Sequence, residues 1–295
     1  MSTLRDRTRP KRAPVMSHFP GDGRTLEGFG PDDLDGTSLK EYRELFAAAM
    51  PGHPWLALDD KALLEQLGCW RKDRATGNYG LTLAGLLMFG KYDAIVAPDA
   101  APTYHVDYRD YGNQQMPGDT WSDRLFPDGT WEANLFQFFQ RSWPKLISNL
   151  QAPRVSKAAP LPDTTPVHLA LREAAVNALV HADYSKSGGI VFERHRERFS
   201  MENPGTLIVS QEQLRRGGVS QCRNRLLQRM FMLIGNCDQA GAGYRRIRDG
   251  WRSQLWPEPK LSTQEQPDRV RLDFVMRNAF SDQLLATAGN RSRSR

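Results

Sequence analysis

The sequence predicts an α/β fold, an α+β sandwich preceded by a helical and small α/β region. Three stretches carry that prediction. Leu169 to Tyr184, LALREAAVNALVHADY, is apolar almost all round at a helical period. Gly189 to Asn203, GIVFERHRERFSMEN, alternates with period two as two short strands about the charged turn His195 to Arg198. Arg269 to Met276 alternates through Val270, Leu272, Phe274 and Met276, a closing strand.

Size and charge set the frame. The chain has 295 residues and 33.4 kDa, enough for two domains, and 39% hydrophobic residues suit a globular core. The net charge of +6 and pI near 9.3 favour an anionic partner, a nucleotide or DNA. Three isolated cysteines, Cys69, Cys222 and Cys237, suggest neither a disulfide framework nor metal spacing. With no spanning apolar run and no signal-peptide core, a soluble cytoplasmic protein without membrane partners is expected.

Taken in order, residues 1–36 are rich in Arg, Pro, Gly and Asp and read as a disordered basic arm. Residues 37–150 read as helical, then small α/β. Ser38 to Gly90 carries helices, with Leu63, Leu64 and Leu67 on one face and Asp59 and Asp60 placed to cap them, as in a winged-helix-like module. Gly85-x-x-x-x-Gly90-Lys91 imitates a phosphate loop, but Tyr92 stands where a Mg²⁺-holding hydroxyl must be, so Gly90 is read as a helix C-cap. Thr103 to Tyr108 reads as a strand, and Trp131 to Leu150 as a helix with Leu135, Phe138, Phe139, Trp143 and Leu146 inward. Residues 151–166 hold Pro153, Pro160, Pro162 and Pro166 and read as a linker to a 167–278 domain. Residues 279–295 end as an Arg/Ser tail, read as disordered.

The functional signal lies on the apolar helix. Glu173, Asn177 and His181 recur at i, i+4 and i+8 and so stack in one file. Buried polar groups need partners or a polar cavity, because leaving one unpaired costs about 1 to 3 kcal/mol. The file is therefore either a structural hydrogen-bonded ladder or the wall of a ligand site. Three downstream stretches favour the ligand site: Asn203-Pro204-Gly205, Arg223-Asn224, and Gly241-Ala242-Gly243 opening the segment to Arg248. Glycine loops at a helix start suit an anion gripped by free N–H groups.

These motifs, ALREAAVNALVHADY, NPG, QCRNR and GAGYRRI, resemble in order the C-terminal ATPase-like domain of a prokaryotic family of transcriptional regulators labelled RecG-like ATP-dependent DNA helicase. Glu173-x-x-x-Asn177-Ala178 resembles the first motif of the gyrase B, histidine kinase and MutL superfamily, the Bergerat (GHKL) fold. The resemblance implies ATP and Mg²⁺ as cofactors. It implies that Glu173 orients or deprotonates water beside the γ-phosphate and that Asn177 is a Mg²⁺ ligand. Gly241 and Gly243 would admit the phosphates, with Arg245 a phosphate partner. Asn203 and Gly205 stand at the adenine-reading loop, His181 and Asp183 at the pocket edge, and Arg223 and Asn224 at a further family motif. Asn203 replaces an aspartate of the superfamily, Ala182 an arginine of the family, and Arg225 a proline. The N-terminal Schlafen/AlbA-like domain usual in the family is missing, which points to a shortened member or to a separate subunit. The expected function is an ATP-binding regulator with slow or no hydrolysis, not a helicase motor, paired as a homodimer or with that subunit. The alternative is a DNA-binding transcriptional regulator whose ATPase-like domain is a scaffold.

Overall fold

The structure is a computed structural model that describes residues 21–112, 120–148, 150, 165–218, 221–237 and 243–276. Helix α1 (Gly36–Ala49) starts where the Asp35 carboxylate accepts from Ser38 N at 2.8 Å and buries Leu39, Tyr42 and Phe46. Helix α2 (Asp60–Leu67) is capped by Asp59, which accepts from Ala62 N, and buries Leu63, Leu64 and Leu67. Gly68 ends it in the left-handed region, with φ 80°. A hairpin of β1 (Trp70–Lys72) and β2 (Tyr79–Leu81) leads into α3 (Leu83–Phe89), buried at every residue. Gly90 is the C-cap of α3, its N–H bonded to Leu86 O. The imitation phosphate loop is thus the end of a core helix. A single turn, α4 (Tyr92–Ile95), follows.

Strand β3 (Val106–Asp110) starts later than its sequence pattern suggests, because Tyr104 N–H closes a turn on Ala101 O. After β4 (Asp123–Leu125), helix α5 (Leu135–Ile147) buries the expected aromatic stripe, including Phe138, Phe139 and Trp143. The second half runs α6 (Pro166–His181), β5 (Ile190–Arg194), β6 (Arg198–Pro204), α7 (Gln211–Arg216), α8 (Arg225–Leu233), α9 (Gly243–Arg252), β7 (Lys260–Glu265) and β8 (Asp268–Val275).

One sheet unites the two halves. Its order is β4-β3-β5-β6-β8-β7, antiparallel except for the parallel β3–β5 pair, in which Asp107 faces Val191. Strands on both sides of residues 151–164 therefore share one ladder, and α5 packs Phe138 on Phe192 of β5 with ring centroids 5.1 Å apart. The fold is a mixed α/β arrangement, as the alternating patterns predict. Helices cover one face, where α9 sets Trp251 against Phe199 and Phe274. The other face is charged: Arg271 reaches Glu193, Glu202 and Asp273, and Asp107 lies buried under Arg109 and Arg124. An antiparallel sheet tolerates such a polar face because alternate side chains leave it.

Two expectations need correction. Residues 21–36 are ordered, not part of a disordered arm. Leu26 and Leu34 are buried, Leu26 N–H bonds Leu81 O, and the Asp22 carboxylate accepts from Leu227 N at 2.9 Å. That carboxylate caps α8, whose own N-cap residue, Asn224, makes no side-chain cap. The strand expected to close the sheet, β8, lies inside it, and the edge is β7. Residues 1–20 and 277–295, which include most of both expected tails, lie outside the described residues. Among the described residues no helix is long and apolar enough to cross a membrane.

Candidate functional site

Helix α6 begins on a Thr165 cap and is buried nearly all round, which leaves its polar file to line a cavity. That cavity measures about 160 Å³. Glu173, Asn177 and His181 form one wall, and Met201, Asn203, Val270 and Leu272 rise from β6 and β8 opposite. The segment between β6 and α8 supplies Ile208 and Leu214, and α9 supplies Gly243, Tyr244 and Ile247. The site thus has a polar end and an apolar slot.

The polar end is where α6 meets the start of α9. Glu173 is only 7% exposed. A Cβ on Gly243 would fall 2.5 Å from Glu173 Oε1 and 3.3 Å from Asn177 Nδ2, so the start of α9 passes close against both side chains. Arg246 Nη1 stands 4.0 Å from Glu173 Oε2. The positive end of α9 and a guanidinium thus converge on one carboxylate.

At the slot, Asn203 is buried, and its Nδ2 donates to Pro204 O at 3.1 Å, which turns the amide oxygen away from that bond. His181 is held neutral near pH 7: burial, reinforced by the Arg223 charge, lowers its pKa to about 4. It can exchange hydrogen bonds there without bringing a cation.

The other residues expected at the site stand behind the wall. Arg223 Nε donates to His181 O at 3.1 Å and its Nη2 to Thr206 O at 2.9 Å, and Nη1 lies 3.5 Å from Asp183 Oδ2. Asn224 Nδ2 donates to Val180 O in the last turn of α6 and to Ala182 O at its C-cap. Gly205 takes φ 103°, with its Cα against Asp183, where a Cβ would meet the Asp183 Cβ at 2.8 Å. These four residues tie the end of α6 to the loop after β6 and to α8, and they do not line the cavity. Arg245 is exposed on α9 and does not line it either. Gly241 lies outside the described residues. Sequence reasoning missed Tyr244, Ile247, Leu261 and Arg246. The Ile247–Trp251 spacing signals an inward face of α9, but nothing local places Arg246 beside Glu173.

Residues 189–274 match the family described as "Putative ATP-dependent DNA helicase recG C-terminal". The C-terminal part of the chain, from β5 to β8, is similar to that family. The match starts after α6, so Glu173, Asn177 and His181 lie outside it. Residues 16–107 match a second family, "Domain of unknown function (DUF8451)". The crystal structure of the DIP2311 protein from Corynebacterium diphtheriae is similar, with a TM-score of 0.62 and 19% identity over 88% of this chain. It shares the fold, and the match covers 40% of that longer chain. No curated protein matches the chain.

Proposed function

We propose that the chain is an ATP-binding regulatory protein that holds Mg-ATP in a Bergerat-type pocket and hydrolyses it slowly or not at all. The observation that carries this reading is the juxtaposition in one cavity of the Glu173–Asn177 wall with the glycine start of α9, next to an apolar slot bordered by Asn203. The slot suits a flat base, and the helix start suits phosphates. The family description, which names ATP, supports the same reading.

The donor set suits a hard cation carried in by phosphate. Asn177 offers an amide oxygen, and among the described residues no group of three or more His, Cys, Asp or Glu could hold a metal alone. Bound Mg²⁺ would neutralise phosphate charge. Glu173 orients or deprotonates a water if turnover occurs, and Gly241 and Gly243 admit the phosphates. Arg245 reaches a phosphate only from outside the cavity. Asp183, Gly205, Arg223 and Asn224 brace the wall. Occupancy alters how the parts pack or pair, whether with a second copy, a Schlafen/AlbA-like subunit or DNA.

One observation favours a second reading, a DNA-binding regulator whose ATPase-like part is a scaffold. At 160 Å³ the cavity is smaller than the roughly 300 to 1,000 Å³ usual for ligand sites. Calorimetric titration with a non-hydrolysable ATP analogue, with and without Mg²⁺, decides between them. Mg-dependent binding is expected, and silence at millimolar analogue hands the case to the scaffold.

A further inference from the structure

Arg246 belongs to the first turn of α9, three residues after Gly243, and its side chain is 35% exposed where that of Glu173 is 9% exposed. Its Nη1 lies 4.0 Å from Glu173 Oε2, while Oε1 lies against the Cα of Gly243. The carboxylate thus has one oxygen beside the start of α9 and the other within ion-pair reach of Arg246. An ionised carboxylate on the wall of a small cavity repels an incoming anion, and the repulsion strengthens as water is excluded. A phosphate-binding cavity with Glu173 in its wall needs that charge offset.

We propose that Arg246 is a positioning residue that acts through Glu173: it neutralises and aims the carboxylate so that the cavity tolerates a polyphosphate beside it. This inference rests on the nucleotide reading above and extends it to a residue outside the cavity lining. Acting as a positioning residue, Arg246 reaches the ligand by way of the Glu173 carboxylate. Its removal therefore produces a defect that depends on Glu173, which a general packing role would not produce.

The test titrates the full chain with the same Mg-loaded analogue in wild type, Arg246→Ala, Arg246→Lys, Glu173→Gln and the Arg246→Ala/Glu173→Gln double variant. Arg246→Ala is expected to weaken binding about tenfold or more, as loss of one partner of a part-buried charge pair does. Arg246→Lys should recover part of the loss. The double variant should recover most of it, a coupling that a cycle of variants isolates. Unchanged binding in Arg246→Ala, or a defect that Glu173→Gln leaves in place, overturns the inference while the nucleotide reading stands. Absence of binding in wild type fells the nucleotide reading and this inference together. If Arg246→Ala does not fold, Arg246→Gln takes its place: binding equal to wild type overturns the inference, and a loss that Glu173→Gln repairs supports it.

Discussion

Asp22 and His181 set opposing pH dependences on stability. Burial raises the Asp22 carboxyl from 3.8 to about 6, against the lowering effect of its bond from Leu227 N–H. Its folded pKa exceeds its unfolded one, so the stability it lends is full below about 4 and is lost as pH rises through about 6. The two pKa values bound the loss at about 3 kcal/mol. His181 is lowered, so the stability it lends is present above 6.5 and is lost as pH falls through about 4. The two windows overlap and partly cancel in wild type. Asp22→Asn keeps an acceptor for Leu227 N–H and removes the charge. Denaturant unfolding of that variant should therefore show greater stability than wild type at pH 7 and a shrinking difference toward pH 4. A difference that stays constant with pH would sink the assignment. Neither effect was legible in the sequence: Asp22 sits in a stretch poor in apolar residues, and its burial comes from helices far along the chain. The file of Glu173, Asn177 and His181 was legible, because i, i+4 spacing on an apolar helix is a local property.

Among the elements, α6 carries the wall and α8 holds its end. Asn224 turns its amide onto Val180 O and Ala182 O, two carbonyls left without intrahelical partners, and leaves its own helix to be capped by Asp22. Asn224→Ala should cost about 1 to 3 kcal/mol by denaturant unfolding, since buried carbonyls lose a donor. It should weaken nucleotide binding as well, since His181 lies in that last turn. A variant as stable as wild type would show that the clamp is dispensable. The sequence flagged Arg223-Asn224 as a motif, but not its direction, because only the packed positions of α6 and α8 show that it faces the helix end. Strand β7 escaped notice for a plainer reason. Its sequence, KLSTQE, has one large apolar residue, as an edge strand with few inward positions needs. The segment that supplies Ile208 and Leu214 was also illegible as cavity wall, because Ile208 sits in a loop without period and Leu214 is the one apolar residue of the short α7.

For the whole molecule, alternation and helical period foretold the fold class, whereas the way the halves join was not foretold. Proline density across residues 151–166 suggested a connection between separate parts, but sheets are joined by ladders that composition does not reveal. The β3–β5 pair binds the first half to the second through consecutive partners from Val106–Ile190 to Asp110–Arg194, backed by Phe138 on Phe192. A fragment beginning at residue 167 would bare the β5 edge, an invitation to aggregate. Covalent continuity at that point is therefore secondary. A protein nicked between residues 151 and 164 should run through size exclusion as one species in native buffer and as two in denaturant. The halves, produced as separate polypeptides, become a natural pair for fragment complementation, with the parallel seam as the adhesive that reassembles them.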